Sequence, residues 1–314
     1  MYIFIVNPVA GNGRGLKVFQ QVMKSESYQQ ITSQYYMTSY AGHAEEIVQK
    51  LTSENPDEIN VIIVIGGDGT IHEVVNGLRN NVRLAFIPGG SGNDFARGCG
   101  IKGSPTRILK KILTDKNGID YWKGNFQIDH KEGRAFANSI GFGFDAEVAA
   151  RANQSIYKNI LNKLRIGTLS YVLALIQVLF TFKPFNAELE LDGKKHQLAN
   201  CWMITIANHP YYGGGMKIIP DAKLQPDILP ILVVHNISKW KILRLFMTVF
   251  TGKHVLLPEV TLYQAESIVV LPEREIAYQV DGQTNTCHSC EIVKNNQPIQ
   301  IMGSDFLWKF DRTS

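Results

Sequence analysis

The stretch VIIVIGGDGTIHEVVNGL, running from Val61 to Leu78, carries the reading of the fold. Five β-branched apolar residues in succession describe a strand buried on both faces, because an exposed face would demand alternation. The apolar spacing then becomes helical, with Ile71, Val74, Val75 and Leu78 on one side. Between strand and helix lies Gly66-Gly67-Asp68-Gly69-Thr70. Glycines at such a junction permit positive φ and a close approach of backbone to a ligand. Thr70 and Glu73 have the T-x-x-E spacing of a capping box, which predicts a helix beginning at Thr70.

The same alternation extends through the first third of the chain. Tyr2–Val6 is another continuous apolar strand, followed by a glycine-rich turn and a helix near Leu16–Met23. Ala44, Ile47, Val48 and Leu51 recur at i, i+3, i+4 and i+7, an amphipathic helix. Leu84–Ile87 is a third strand and runs into PGGSGNDFARG. Buried strands alternating with helices give a parallel sheet covered on both faces. After about Asp120 the pattern changes. AELELDGKKHQL alternates around Asp192-Gly193, a hairpin signal. CWMITIAN, ILPILVVH, SIVVLP and EIAYQV follow as strands, with helical stretches near 156–182 and 238–251. The expectation is an α/β fold: an N-terminal parallel-sheet nucleotide-binding domain over 1–125, to which the tail 300–314 returns, and a C-terminal, mostly antiparallel β-sandwich domain over 126–299. No repeat separates the halves, so a site between them is expected.

Composition narrows the partners. The 314 residues carry a net charge of +4 and are 19% charged, which suits an anionic ligand or anionic membrane surface and is too weak to argue for nucleic acid. The amino terminus reads as the first strand of the mature fold, not as a signal peptide. Four cysteines in so long a chain suggest reduced thiols in a cytoplasm. Cys287 and Cys290 form a C-x-x-C, but a second pair or a redox context is lacking, and buried or turn cysteines are the better reading. Ile166–Phe182 holds seventeen residues without a charge, a buried or membrane-touching helix too short and too polar to span. A homodimer is an open expectation.

Three strands end in glycine-rich turns: Asn7-Pro8-Val9-Ala10-Gly11, Gly66-Gly67-Asp68-Gly69-Thr70 and Gly89-Gly90-Ser91-Gly92-Asn93-Asp94. In a parallel sheet, ligands collect outside the carboxyl ends of the strands, and glycine turns let backbone N–H groups reach phosphate oxygens. Neither G-x-x-x-x-G-K-[ST] nor G-x-G-x-x-G occurs. Instead an aspartate sits among the glycines, where phosphates would repel it unless a divalent cation lay between. Asp68 and Asp94 therefore read as ligands, direct or through water, of Mg²⁺ on a nucleotide, with Arg14, Lys17 and Arg97 offsetting phosphate charge. Acids that merely cap helices would explain one such loop but explain three on one sheet less well.

These residues resemble the diacylglycerol kinase catalytic family, particularly bacterial soluble lipid kinases and their sphingosine-kinase-like relatives. The resemblance rests on Asn7-Pro-x-Ala-Gly11, Thr38 before Gly42-His43-Ala44, Gly66-Gly-Asp-Gly-Thr70 and Pro88 through Arg97, and continues through NSIGFGFDAEV, GGGMKIIPDAKL and YQVDGQ across nearly the whole chain. It implies ATP bound at Asn7, Pro8, Val9, Ala10, Gly11, Thr38, Gly66, Gly67, Asp68, Gly69, Thr70, Ile71, His72, Ser91 and Asn93. It implies an acidic network of Asp68, Asp94 and Asp120 around catalytic Mg²⁺, and a lipid alcohol at the membrane surface as acceptor. Its proton would leave toward Asp281-Gly282-Gln283.

Two departures stand out. The family usually reads D-G-E at that motif, its glutamate being the proton acceptor; here it is Gln283, an amide without basicity. A structural metal loop usually carries Asp-Asp-Gly. The matching stretch is Gln225-Pro226-Asp227, so Asp227 with the carbonyls of Lys223 and Ile228 would hold a metal, or none is bound. Asp281, or Asp68 through water, would then take the proton. An NAD kinase-like metabolite kinase sharing GGDGT and a catalytically impaired nucleotide-binding regulatory protein are the alternatives.

Overall fold

A computed structural model describes residues 1–54, 56–79, 82–154 and 167–306, without the side chains of 154 and 167–172. Residues 156–166 of the expected helical stretch and 307–314 of the tail lie outside the described residues. The chain divides into two compact units, Met1–Trp122 with Gln297–Ser314, and Lys123–Asn296.

The first unit is a six-stranded sheet in the order β2 (Ser33–Met37), β1 (Tyr2–Val6), β3 (Val61–Gly66), β4 (Arg83–Pro88), β19 (Ile299–Met302), β5 (Ile119–Tyr121). The first five strands are mutually parallel, and β5 runs antiparallel to β19. Ile3–Val6 and Ile62–Ile65 are fully buried, as their unbroken apolar runs require. The carboxyl-terminal segment thus returns as an interior strand between β4 and β5. Helices α1 (Ala10–Met23), α2 (Glu26–Gln29), α3 (His43–Glu54), α4 (Asp68–Gly77), α5 (Asp94–Gly98) and α6 (Pro105–Thr114) connect and cover the strands.

One local expectation is corrected. Helix α4 begins at Asp68 with Gly67 as its N-cap and no side-chain cap bond. Glu73 does not turn back to Thr70; its carboxylate accepts the Ala44 amide at the head of α3, 3.1 Å away. The first-turn amide of Ala44, itself buried, has no intrahelical acceptor, and Glu73 supplies one.

In the second unit, eleven antiparallel strands form one sheet curled on itself, in the order β17 (Gln283–Cys287), β16 (Ile276–Val280), β8 (Ser139–Gly143), β10 (Lys194–Ala207), β9 (Phe185–Leu191), β15 (Ser267–Pro272), β18 (Cys290–Lys294), β6 (Gly124–Ile128), β7 (Arg134–Phe136). β13 (Leu229–His235) pairs with both β10 and β14 (Val260–Ala265). Strand β10 makes the curl: its register slips between Leu198 and Cys201, where Asn200 has φ 49°. Its first half pairs with β9 and its second with β8 and β13. A short hairpin joins β11 (Tyr211–Tyr212) to β12 (Met216–Lys217). Helices α7 (Phe144–Gln154), α8 (Gly167–Thr181) and α9 (Lys239–Val249) pack on this unit. Among the described residues no helix is long and apolar enough to cross a membrane.

Candidate functional site

In the order β2-β1-β3-β4 the connection after β1 runs to one side and the connection after β3 to the other, so a crevice opens between the carboxyl ends of β1 and β3. Register keeps that edge level: Val6 lies beside Ile65, Ile65 beside Ile87, and Gly66 beside Pro88. The three glycine turns therefore meet. The amides of Gly89 and Gly90 both donate to Gly66 O, at 2.7 and 2.8 Å. A Cβ on Gly90 would stand 2.5 Å from Gly67 Cα, and one on Gly11, at φ 56°, would stand 2.5 Å from Gly89 O. Only glycine allows this packing. Gly11, Asn12 and Gly13 share positive φ and interrupt α1, so its regular turns follow them.

Side chains fix the turns. Asn7 donates to Thr70 Oγ1 at 3.0 Å while its Oδ1 accepts the Val9 and Ala10 amides. Asn93, itself left-handed at φ 55°, accepts from Gly90 N and donates to Gly90 O. The result is a cleft of about 430 Å³. Asn7, Val9, Ala10, Gly11, Thr38, Gly67, Gly69, Thr70 and Ser91 line it, joined by Gly90 of the third glycine turn, by Glu73, read from sequence only as a helix cap, and by Ser39, Tyr40 and Ala41, which sequence reasoning had not named. Tyr40, half-exposed and stacked on His43 at 4.5 Å, offers a flat face at the rim. Its signal in sequence was weak, a lone aromatic ahead of the amphipathic helix. Pro8, Gly66, Asp68, Ile71, His72 and Asn93 are not among the lining residues. Ile71 belongs to the buried core, and His72 is buried in α4.

The carboxylates differ in what they hold. Asp68 Oδ1 accepts the Phe95 amide at 3.0 Å, which brings the head of α4 against the segment containing Asp94. Asp94 is buried and pairs with Arg97 at 2.8 Å. Mg²⁺ takes one or two carboxylates and completes its shell with phosphates and water, a donor set to which the Asp68 and Asp94 side chains are chemically suited. Among the described residues no three acidic, histidine or cysteine side chains gather as a metal cage. Asp120 accepts from the Gln300 amide on β19. Its register sets it toward the amino-terminal start of β4, away from Pro88. The Phe95 and Tyr121 rings, 5.1 Å apart, link β5 to the segment after Asp94.

In the second unit, Asp281 and Gly282 have φ 48° and 89° and turn β16 into β17. The Asp281 carboxylate accepts the amides of Ala137 and Asn138 at 2.7 Å and Ser139 at 3.1 Å. Most of its lone-pair capacity is spent on backbone, which makes it a clamp. Gln283 is exposed at the start of β17. Behind the clamp, His209 is buried, accepts the Tyr211 amide at Nδ1 and lies 3.0 Å from Asn138 Oδ1 through Nε2. Burial lowers it to about 4, against the opposing pull of Asp281, so it is neutral. Asp145, in the quoted GFGFDAEV but given no role from sequence, lines a small apolar cavity with Phe144, Trp202 and Leu245. Burial raises it to about 7; the Ala146 amide and the Gln279 side chain only partly offset that cost.

The expected metal loop has a different content. Ile228 N donates to Pro226 O at 2.7 Å, and Asp227 is left-handed at φ 64°. Ile228 O accepts the ammonium of Lys294 at 3.3 Å. Burial lowers that ammonium to about 8, with Asp227 acting the other way. Cys287 and Cys290 are buried free thiols, Cys287 pushed up to about 12 by burial.

Comparison with known proteins agrees with this geometry. Residues 1–123 match the diacylglycerol kinase catalytic domain, and residues 138–299 match the YegS C-terminal NAD kinase beta sandwich-like domain. The Bacillus subtilis (strain 168) protein YtlR, provisionally named a lipid kinase, is 31% identical over 96% of this chain and 98% of its own. A diacylglycerol kinase of the same organism is 28% identical over 95% and 94%. A crystal structure from Bacillus anthracis str. Sterne, provisionally titled a diacylglycerol kinase, superposes with a TM-score of 0.70 at 24% identity, covering 95% and 94%. An NAD kinase from Archaeoglobus fulgidus in complex with ATP superposes with a TM-score of 0.52 at 13% identity, covering 95% and 92%. At these identities the two structures speak for the fold alone.

Proposed function

Since this chain belongs to the diacylglycerol kinase family, we propose that it transfers the γ-phosphate of ATP to the hydroxyl of a diacylglycerol-like lipid. The observation that carries this reading is the meeting of three glycine turns around one cleft at the topological switch of the sheet. Asn7 and Asn93 hold the turns by accepting the Val9, Ala10 and Gly90 amides, so little reorganisation accompanies transfer, and phosphate oxygens would be met by the remaining backbone N–H groups of the turns. Bound Mg²⁺ would supply neutralisation of the charge that develops on the phosphate oxygens. Asp68 and Asp94 are the residues that would hold it. Phosphoryl transfer depends chiefly on positioning and electrostatics, so the chain can act without a strong base.

The acceptor side is supported by the face of α8 and α9. Leu173, Ile176 and Phe180 are exposed on α8, and Trp240 (75%) and Met247 (72%) on α9. Lys239 ties the helices by donating to Phe180 O at 2.8 Å. Arg244 is exposed on α9 beside them. An apolar face with cationic neighbours fits the surface of an anionic bilayer, where the protein would meet its lipid without spanning.

A second reading, a kinase with reduced turnover, is favoured by the commitment of Asp281 to three amides and by Gln283. The test is phosphorylation from labelled ATP with Mg²⁺, offering diacylglycerol, a monoacylglycerol and a sphingoid base in mixed micelles, and NAD in solution. Labelled diacylglycerol is expected. Labelled NADP alone would replace the lipid assignment with a metabolite kinase, and ATP binding with no product on any acceptor would favour a regulatory protein.

A further inference from the structure

The loop at 223–228 does not suit a divalent metal. A cation site there would need Asp227 together with the carbonyls of Lys223 and Ile228, yet Ile228 O already accepts a hydrogen bond from Lys294 Nζ. Pro226 stands where a carboxylate was expected, and Asp227 is the one acidic side chain within residues 223–228. Lys294 ends β18, beside Gly124 of β6, and is 5% exposed. A lysine this buried is rare unless a negative or carbonyl partner compensates. Asp227, Glu266 and Lys294 line one hollow of about 550 Å³ with Ser267 and Asn125. Its carboxylates make it a poor site for an anion.

We propose that the Lys294 ammonium serves as a built-in cation that fastens the 223–228 loop to β18, so that this unit needs no structural metal. The ammonium donates to the Ile228 carbonyl that a metal ion would have taken, and its charge attracts the Asp227 carboxylate through space. A tethered ammonium cannot be stripped by a chelator or lost by dilution. The loop leads straight into β13, which β10 and β14 flank, so its fastening fixes where a central strand begins.

The test is made without nucleotide, so that the phosphate cleft contributes no metal. Wild-type protein, dialysed and assayed by plasma mass spectrometry, is expected to hold less than about a tenth of an equivalent of divalent metal. Its Tm is expected to be the same in EDTA as in Mg²⁺ or Ca²⁺. Lys294→Met, which keeps the aliphatic length and removes the charge, should speed tryptic cleavage after the exposed Lys223 by about tenfold, equivalent to about 1.4 kcal/mol of local opening. About one equivalent of bound metal, or a wild-type Tm that falls in EDTA, would overturn the proposal. So would a Lys294→Met protein with unchanged Tm and cleavage. Should that variant fail to fold, the wild-type metal content and chelator response still decide. None of these readings depends on kinase activity.

Discussion

Two kinds of aspartate–glycine turn occur in this molecule, one at the edge of the parallel sheet and one in the hairpins of the curled sheet. At Gly67-Asp68-Gly69 the first glycine packs against Gly90, whose own Cβ would stand 2.5 Å from Gly67 Cα, and the aspartate accepts the Phe95 amide from a neighbouring turn. At Asp192-Gly193 and Asp281-Gly282 the aspartate itself is left-handed, and its carboxylate laces a distant segment by backbone amides: Glu266 and Ser267 for the first, Ala137 to Ser139 for the second. The hairpin at 281 repeats the construction at 192. That likeness argues for a structural duty at Asp281.

The largest effect that would break this contrast concerns Asp68. Asp68→Ala should lower turnover by about 10³-fold, the scale of losing one electrostatic group at a reacting phosphoryl centre, while stability falls only by the loss of the single Phe95 amide bond, about 1 kcal/mol. A variant that unfolds instead would make Asp68 the same kind of clamp as Asp281. Conversely, Asp281→Ala should cost on the order of 3 kcal/mol in urea unfolding, because backbone donors lose a charged acceptor. Asp192→Ala should cost less, having two amides rather than three. An Asp281→Ala protein of native stability but without activity would return that residue to chemistry.

Gln283→Glu sharpens the comparison by restoring a base beside the clamp. Turnover should rise by about tenfold or more, toward the range of a general base, and the pH–rate profile should gain an acidic limb. No rise would show that positioning alone limits the wild type.

Asp145→Asn tests a carboxyl belonging to neither kind. Its folded pKa of about 7 lies above the unfolded value near 4, so its stabilisation is full below about pH 4 and is lost as pH rises through 7. His209 works in the opposite sense: held near 4 when folded, it contributes above about pH 6.5 and loses that contribution as pH falls through 4. The Asn variant should therefore remove a decline on the order of 3 kcal/mol between pH 4 and 7 in denaturant unfolding, leaving only the acid limb. Retention of the decline would mean another group carries it. The smallest expected effect is at the exposed apolar face of α8 and α9, proposed above to meet a bilayer. Trp240→Ala should weaken binding to phosphatidylglycerol vesicles by about fivefold, with turnover on a short-chain soluble acceptor unchanged. Equal binding by both proteins in a flotation assay would remove α9 from the membrane contact.

What the sequence by itself determined are features set within a few residues. Unbroken runs such as Val61–Ile65 fixed strands buried on both faces, Asp192-Gly193 fixed a hairpin, and three glycine turns marked one edge of one sheet. Each depends on side-chain period or on a backbone angle only certain residues adopt, so it can be read where it stands. Tertiary structure alone decided which partner each polar group found. Glu73 went to Ala44 and not to Thr70, Asp281 to amides 142–144 residues away, Lys294 to the Ile228 carbonyl, and Ile299–Met302 to a place inside the first sheet. A carboxylate or ammonium binds whatever complementary group the folded chain brings within about 3 Å, and that proximity is settled by packing over hundreds of residues, not by spacing along the chain.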